Sequence, residues 1–423
     1  MPAPRRAADL WWLHPARIVL LVVVPVYLGA LMYDLRKVVA NVYIPGWDYA
    51  FGGLLVLALA LGAQLAGTGT AESTRQAAPR ISLGLMMFLL GTTVVTYTIW
   101  FGPLLWQPQL LMEIVRGERA ELRESLSTVK GLTTFTQFGV AYVIAYALKR
   151  SAGVQPLRRI EHIGLALVFG LAAFRAFAWA ERLAVLELLV CFTVARLAYL
   201  DIGSERRWRV ASLAPVVAPL GVYLLFTLGE YFRSWEYYVK EYDTVWHYTA
   251  ERLIAYYATA INNGIGALVD THDWPYFRGA FILESLYRMP GLGAALDAVF
   301  GDPVSVPVFW LEVYARPEFN SQTDYFRIVL DLGYAGAAIY YLVLGYVFGR
   351  AYHGYRAGRR FGLLMYGVIV LHLIESLRYG YLGEPRFVPL AVGLVLVAHD
   401  MRRLRAQAVN AEWQQSNKPA TSP

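Results

Sequence analysis

Long apolar runs separated by short polar segments dominate this chain. About 20 consecutive apolar residues span the hydrocarbon core of a bilayer as a helix. Ten stretches approach that length, and they lie near residues 16–34, 48–67, 82–103, 131–149, 160–177, 182–200, 210–230, 326–349, 361–378 and 384–400. The pattern predicts an all-α, polytopic membrane protein with about ten transmembrane helices.

The first apolar run begins after Arg5 and Arg6, as the run of a signal peptide does. No small-residue cleavage site follows it, and Pro25 interrupts it. We therefore predict an uncleaved first helix.

One long interval, from Gly229 to Arg327, lacks a membrane-length apolar run. The chain therefore divides into helices 1–7 (residues 1–230), a large loop (231–325), helices 8–10 (326–400) and a polar tail (401–423). The tail after Arg405 is expected to be disordered. The chemistry of the protein is expected in the large loop and at its junction with the eighth helix.

Basic residues fall in clusters at every second connection between the predicted helices. The clusters are Arg75/Arg80, Lys149/Arg150/Arg158/Arg159, Arg206/Arg207/Arg209, Arg350/Arg356/Arg359/Arg360 and Arg402/Arg403/Arg405. Loops that stay in the cytoplasm carry an excess of Lys and Arg. The clusters therefore place both termini in the cytoplasm and the large loop outside.

Two outer segments have helical patterns. Residues 104–130 alternate acidic and basic side chains at spacings of three and four, which favours a solvated helix with its own ion pairs. Within 244–264, apolar residues recur at helical spacing, Thr244 is a plausible N-cap and Asn262-Asn263-Gly264 a plausible stop. We expect this second segment to be an amphipathic helix on the outer membrane surface.

Composition agrees with a membrane protein. Hydrophobic residues make up 57% of the chain and charged residues 16%, and the mean hydropathy is +0.42. The 29 Tyr, 20 Phe and 12 Trp suit aromatic belts at the membrane interface. The net charge of +7 is explained by the topological clusters, so we predict no nucleic-acid partner. The single cysteine, Cys191, allows no disulfide within the chain.

Arginines gather at the outer ends of separate predicted helices. They are Arg175, Arg182, Arg233, Arg327, Arg378 and Arg386, and Arg278 and Arg288 join them from the large loop. A charge at membrane depth costs a few kcal/mol unless it faces water or a partner. For any single arginine, snorkelling or an ion pair is explanation enough. As a set they predict an aqueous cavity that binds an anion, because the guanidinium fork matches phosphate oxygens.

Acidic residues near these arginines can form ordinary helix ion pairs, or they can hold the arginines in place for binding. Asp324, Arg327 and Asp331 lie on one face of the eighth helix, so Asp331 is expected to hold Arg327 in place. Glu187, about one turn beyond Arg182, is expected to pair with Arg175 or Arg182.

Several cofactor motifs are absent from the sequence. It has no phosphate-binding P-loop, no dinucleotide-binding glycine-rich turn and no His-Glu-x-x-His. We therefore predict no nucleotide, flavin or metal cofactor. The energy for any reaction must come with the substrate.

Three segments resemble the Wzy-type oligosaccharide repeat-unit polymerases of bacterial envelopes. They are FRAFAWAERLAVLEL (174–188), RLIAYYATAINNG (252–264) and EFNSQT through DLG (318–333). The resemblance includes the arrangement of many helices, one large outer loop and internal termini. The Arg-x10-Gly signature of some of these polymerases does not occur in the outer loop.

This resemblance implies a GT-C-like glycosyltransferase in the bacterial inner membrane, with the large loop in the periplasm. It would polymerise undecaprenyl-diphosphate-linked glycan repeats on the outer leaflet, beside flippase and chain-length regulator proteins. The diphosphate candidates are Arg175, Arg182, Arg278, Arg288, Arg327 and Arg378. Further substrate-binding candidates are Tyr257, Asn263, Asn320 and Asp331.

A general base for such a transfer is less well defined by the sequence. The candidates are Glu318, Asp324, His247 and Glu187, since an inward-facing carboxylate with a raised pKa suits that role. If positioning and leaving-group stabilisation supply most of the rate, no dedicated base is needed.

Three other functions are open at this stage. An O-antigen ligase would use the same donor with lipid A core as acceptor, and His247 or His272 would be its loop histidine. A transporter of polysaccharide or lipid-linked sugar usually has pseudo-repeated halves and broken helices, and the sequence indicates neither. An assembly scaffold would not need arginines on one side.

Overall fold

The computed structural model describes residues 5–67, 77–107, 109, 131–178, 181, 183–289 and 291–416. Within these ranges the regular secondary structure is helical apart from two short strands. The longer helices are α1 (Pro15–Met32, with a π-helical turn at Val19–Val23), α2 (Trp47–Leu65), α3 (Leu83–Trp106), α4 (Phe138–Ala152), α5 (Arg159–Ala178), α6 (Leu183–Leu197), α7 (Glu205–Ser212), α8 (Ala214–Arg233), α9 (Val245–Asp270), α10 (Leu292–Phe300), α11 (Ser305–Tyr314), α12 (Asp324–Arg356), α13 (Arg360–Glu375) and α14 (Phe387–Ser416).

Several short helical segments complete the helical structure. They are Ala7–Asp9, Trp11–Leu13, Leu35–Lys37, Leu132–Gln137, Trp235–Tyr238, Glu284–Tyr287 and Pro317–Phe319. Of the predicted mixed-charge helix at 104–130, the structure describes only residues 104–107 and 109. The first three of these residues belong to α3, which ends at Trp106.

Six of the described helices are long and apolar enough to cross a membrane, namely α1, α2, α3, α5, α8 and α12. The bent pair of α10 and α11 would make a seventh if it counts as one span. Of the other predicted spans, α4 and α6 have 15 residues each and α13 has 16. At 1.5 Å per residue such helices cover roughly 22–24 Å, less than the hydrocarbon core of about 30 Å. The fold is therefore all-α and membrane-embedded, and the count of ten stays a prediction.

The segment after Arg405, predicted to be disordered, is helical as far as Ser416. Helix α14 continues past Arg405 to Ser416, because residues 404–414 are mostly good helix formers such as Leu, Arg, Ala, Gln and Glu. The prediction of disorder from Arg405 onward was therefore wrong for this stretch.

Helix α9 begins as predicted but ends later. The Thr244 hydroxyl accepts a hydrogen bond from the backbone N–H of His247, as an N-cap does. The expected stop at Asn262-Asn263-Gly264 was wrong, since the helix continues to Asp270. Both asparagines are buried, and their amides bond to other segments instead of ending the helix. Residues 258–268 are buried on every side, so this half of α9 is a core helix rather than a surface helix.

Helix α12 packs against α2 through glycines. A methyl group added to Gly62 or Gly345 would overlap a backbone carbonyl of the other helix, and one added to Gly349 would crowd Ala63. Small residues let two membrane helices approach closely, where dispersion and backbone contacts hold them together. Helix α13 in turn packs between α12 and α6.

Many tyrosines lie in the core rather than at an interface. The hydroxyl of Tyr142 donates to the backbone oxygen of Glu161 at 2.7 Å, and that of Tyr355 donates to Val194 at the same distance. Buried hydroxyls need such partners. Aromatic belts therefore do not account for these buried tyrosines, and that part of the prediction was wrong.

Two breaks interrupt the helices near the large loop. Gly333 within α12 has φ +69° and ψ 176°, a conformation that favours glycine. Helices α10 and α11 meet at 91° across the break 301–304. The interpretation that the sequence indicates no broken membrane helix was therefore wrong for α12.

The first described residues are attached to a distant connection. Strand β1 (Arg5–Arg6) pairs antiparallel with β2 (Asp201–Ile202). The indole of Trp12 donates to the backbone oxygen of Ala211 at 2.9 Å. This attachment joins residues 5–13 to the segment that leads into α8.

Candidate functional site

A cavity of about 370 Å³ lies where the large loop meets the ends of several helices. Five stretches of chain line it, from residues 181–183, 281–288, 304–311, 320–327 and 378–386. Its charged lining includes four arginines, Arg288, Arg327, Arg378 and Arg386, and three glutamates, Glu181, Glu284 and Glu384. Side chains far apart in sequence therefore meet in one hollow.

Glu284 holds two of the arginines. Its Oε1 lies 2.8 Å from Nε of Arg288, and its other oxygen accepts a hydrogen bond from Arg327. The guanidinium of Arg327 also lies 5.0 Å from the ring centroid of Phe281, within cation–π range. These contacts fix the orientation of the Arg327 fork inside the cavity.

Glu181 holds the second pair of arginines. Its Oε2 lies 2.6 Å from Nη2 of Arg175, and its Oε1 lies 3.0 Å from Nη2 of Arg386. Burial raises the pKa of the Glu181 carboxyl, but Arg175 and Arg386 outweigh burial and hold the pKa below its usual range. Burial lowers the pKa of Arg386, and the charges of Glu181 and Glu187 raise it more. Glu181 is therefore a carboxylate shared by two guanidinium groups.

Arg378 is held more loosely. Its Nη1 lies 3.9 Å from Oε2 of Glu375, and its guanidinium lies over the rings of Tyr256 and Tyr379. Within the described part of the chain, Nε of Arg378 and Nη1 of Arg386 are buried with no hydrogen-bond partner. Each side chain therefore has a buried N–H group whose hydrogen-bonding capacity is not met by the described residues.

Glu384 is the third glutamate of the cavity. No Lys, Arg or His of the described residues forms an ion pair with it within 4 Å. Burial and the charge of Glu284 raise its pKa, against the opposing influence of Arg327, Arg386 and Arg288. The cavity thus contains one carboxyl whose proton affinity is increased.

One wall of the cavity is apolar. Val304, Pro307, Val308 and Leu311 line it, all from the bend between α10 and α11 or from α11 itself. On the same pair of helices, Val299 and Phe309 are exposed over 73% and 64% of their surface. An apolar pair of helices with exposed large side chains is typical of protein that contacts lipid. The cavity is therefore cationic on one side and apolar on the other.

The predicted arginines divide into three groups. Arg288, Arg327 and Arg378 line the cavity, as does Asn320. Arg175 does not line it but binds Glu181, which does. Arg278 does not line it, because its guanidinium donates to the backbone oxygen of Phe300 at the end of α10. Arg182 and the side chain of Arg233 lie outside the described residues.

The other predicted binding residues do not line the cavity. Asn263 donates from Nδ2 to the backbone oxygens of Phe319 and Ser321, at 2.7 and 3.1 Å, and so holds the loop that carries Asn320. Tyr257 is half-buried and is absent from the described lining. Asp331 was expected to hold Arg327, and this was wrong. Its Oδ1 accepts the backbone N–H of Arg278 at 3.2 Å.

None of the four predicted bases lines the cavity. Glu318 is bound to Arg252 at 2.8 Å, and the carboxylate of Asp324 accepts from Tyr341 at 3.2 Å. His247 is exposed on the first turn of α9, with Nε2 at 3.9 Å from Glu251.

Glu187 lies in a buried network of its own. It accepts hydrogen bonds from Gln137 at 2.9 Å and Tyr381 at 3.0 Å. Of its two predicted partners, Arg175 pairs with Glu181 instead, and Arg182 lies outside the described residues.

The sequence reasoning missed the glutamates that do line the cavity. Glu384 was placed at the start of a helix, whereas α14 begins only at Phe387. The signal was the run RYGYLGEPR (378–386), whose glycines, proline and three charges indicate a polar connection rather than a span. Glu284 lies four residues before Arg288, a helical ion-pair spacing that the prediction did not use. The contacts of Glu284 with Arg327 and of Glu181 with Arg386 carried no local signal, because these partners are distant in sequence.

Comparisons of this chain with known proteins found no match. No protein-family model matches the chain, and neither a curated protein nor a solved structure matches it. Among the described residues, no three His, Cys, Asp or Glu side chains are grouped as metal ligands. The chemistry of the site therefore has to be inferred from its own residues.

Proposed function

We propose that this protein is a glycosyltransferase that polymerises undecaprenyl-diphosphate-linked oligosaccharide repeat units. The reaction takes place at the outer face of the bacterial inner membrane, with the segment 231–325 in the periplasm and both termini in the cytoplasm. The observation that carries the proposal is one cavity in which arginines from three parts of the chain face an apolar wall.

The lining suits a ligand with an anionic head and a hydrocarbon tail. A guanidinium presents a planar fork of donors that matches the oxygens of a diphosphate. Arg288, Arg327, Arg378 and Arg386 supply four such forks. The wall from α10 and α11 offers apolar contact for the first units of a polyprenyl chain.

The glutamates of the cavity orient the arginines before the ligand arrives. Glu284 and Glu181 each bind two guanidinium groups and fix the direction of their remaining N–H groups. Oriented donors stabilise developing charge without having to reorganise during the reaction. The pairs therefore pre-organise the site, and the unpartnered N–H groups of Arg378 and Arg386 remain for the ligand.

In the proposed reaction, a hydroxyl at the non-reducing end of one lipid-linked repeat attacks the anomeric carbon of the growing chain. A new glycosidic C–O bond forms, and the bond between that carbon and the diphosphate oxygen breaks. The departing undecaprenyl diphosphate takes the bonding electrons, and its added negative charge is stabilised by the arginines. The donor carries its own leaving group, so no nucleotide takes part.

The proposed topology retains ten membrane helices in a GT-C-like arrangement. Helices α4, α6, α13 and α14 would complete the six long ones. The Leu132–Gln137 turn leads directly into α4 and extends its helical length. Flippase and chain-length regulator proteins are the proposed partners.

The test supplies purified protein in vesicles with the native lipid-linked repeat unit, extracted from source cells that lack this protein. A ladder of glycans that grows by whole repeats supports polymerisation. Transfer of one glycan to added lipid A core, without a ladder, would indicate a ligase. No loop histidine favours that alternative, since neither His247 nor His272 lines the cavity.

Transport of intact lipid-linked sugar is the second candidate function. The bent pair of α10 and α11 and the break at Gly333 favour it, because broken helices are typical of transporters. In the same vesicles, movement of the sugar across the bilayer without a new glycosidic bond would support transport and contradict polymerisation.

A further inference from the structure

Glu384 differs from the other two glutamates of the cavity in its partners. Glu181 and Glu284 are each engaged by two arginines, and both serve to orient those arginines. Glu384 lines the same cavity and, within the described residues, forms no ion pair. Its carboxylate is therefore available to a bound substrate.

The backbone holds Glu384 in place. Its carbonyl oxygen accepts the N–H of Phe387 at 2.9 Å, where α14 begins. Pro385 follows it and fixes the direction of the chain. Arg378 and Arg386, which flank this loop, also line the cavity. The carboxylate is thus positioned beside the groups assigned to the diphosphate.

The surroundings of Glu384 suit proton transfer. Burial and the facing carboxylate of Glu284 raise its pKa, while Arg327, Arg386 and Arg288 oppose them. A base works best when its pKa approaches the working pH. A carboxyl with a raised pKa beside a leaving-group site matches that requirement.

We propose that Glu384 is the general base of the glycosyl transfer, an inference that rests on the proposed function. The Glu384 carboxylate takes the proton of the acceptor hydroxyl as its oxygen bonds to the anomeric carbon. The electron pair of the broken C–O bond leaves with the lipid diphosphate. The protonated Glu384 then releases its proton to water, and the site is restored.

The test compares Glu384→Gln with the wild type in single-turnover reactions with the lipid-linked repeat. We expect the single-turnover rate constant to fall by about 10²-fold or more, as for loss of a general base. The affinity for undecaprenyl diphosphate, measured separately as product binding, should stay within threefold. Glu384→Asp should retain part of the rate, because it keeps a carboxylate one methylene shorter.

The pH profile gives a second readout. The kcat of the wild type should rise with pH as Glu384 loses its proton, and Glu384→Gln should lack this rise. Glu312→Gln is the matched control, because Glu312 is an exposed glutamate on α11 that does not line the cavity. It should behave as the wild type.

Two results would overturn the role of Glu384. One is a Glu384→Gln rate within threefold of the wild type, and the other is an equal loss of rate and of product binding, which indicates a structural role. Either can occur while the wild type still produces a ladder, so polymerisation would stand. A wild type that forms no glycosidic bond would instead overturn the proposed function itself.

Discussion

Arg386 and Glu181 contact each other across 3.0 Å, Nη2 to Oε1, although 205 residues separate them in the chain. The same carboxylate binds Arg175 through its other oxygen. The end of α5, the connection to α6 and the loop before α14 are therefore joined at one carboxylate. This junction forms one side of the cationic cavity.

Removing this carboxylate should destabilise the protein. Glu181→Gln leaves the buried guanidinium of Arg175 and the partly buried one of Arg386 without their counter-charge. Loss of one member of a buried ion pair usually costs about 3 kcal/mol or more. We expect a lower melting temperature in detergent for Glu181→Gln. Glu236→Gln, at an exposed position, is the control and should melt as the wild type does.

The same residue predicts a loss of stability in acid. The pKa of Glu181 is lower in the folded protein than in the unfolded chain. Its contribution is therefore complete above the ordinary glutamate pKa and is lost as the pH falls through the folded value. Melting temperatures measured from pH 7 to pH 3 should fall more steeply for the wild type than for Glu181→Gln. Parallel curves would contradict the shared-carboxylate role.

The fork of Arg327 should matter more than its charge. Arg327→Lys keeps a positive charge but loses the bidentate geometry, so glycan extension should fall by about 10²-fold. Membrane insertion and the amount of folded protein should be unchanged. Arg316→Lys, at an exposed position in the same loop region, should keep full activity. Full activity of Arg327→Lys would remove this residue from the diphosphate site.

Close packing of α2 and α12 should tolerate no added methyl group. Gly345→Ala would place its Cβ against the carbonyl oxygen of Leu59, and the two helices would have to separate. Overpacking of this kind costs about 1–3 kcal/mol. Thermal unfolding in detergent should show the loss. Gly221→Ala on α8 meets no atom within 4 Å and should have no such effect.

Helix α11 is attached to the end of α9 and to Tyr43 through the carboxylate of Asp270. Oδ2 of Asp270 accepts from the indole of Trp310 at 3.0 Å and from the hydroxyl of Tyr43 at 2.7 Å. Trp310→Phe removes one bond, at a cost of about 1 kcal/mol. Hydrogen exchange across Ser305–Tyr314 should therefore become about fivefold faster. Exchange in α2 is the internal reference and should not change.

The sequence predicted those features that depend on local composition. Apolar runs predicted the long helices, and Thr244 predicted the start of α9 because an N-cap acts within one turn. The end of α9 was mispredicted, since Asn262 and Asn263 find partners more than 50 residues away. Hydrogen bonds to distant segments therefore outweigh a local stop signal.

The candidate site was predicted in part for the same reason. Arg327 and Arg378 stood out as charges beside apolar runs, where their cost is high, and Arg288 was added to them from the large loop. All three line the cavity. Which acid binds each arginine depends on the packing of distant segments. The pairs Glu284–Arg327 and Glu181–Arg386 therefore could not be assigned from spacing. Asp331 was assigned to Arg327 wrongly.

The attachment of residues 5–13 to the connection before α8 has a consequence for the order of synthesis. Strand β1 has no partner until Asp201 and Ile202 have left the ribosome. The indole of Trp12 likewise waits for Ala211. Residues 5–13 therefore cannot form these contacts while the predicted helices up to 182–200 are synthesised and inserted. The contacts form only after the connection before α8 has been synthesised.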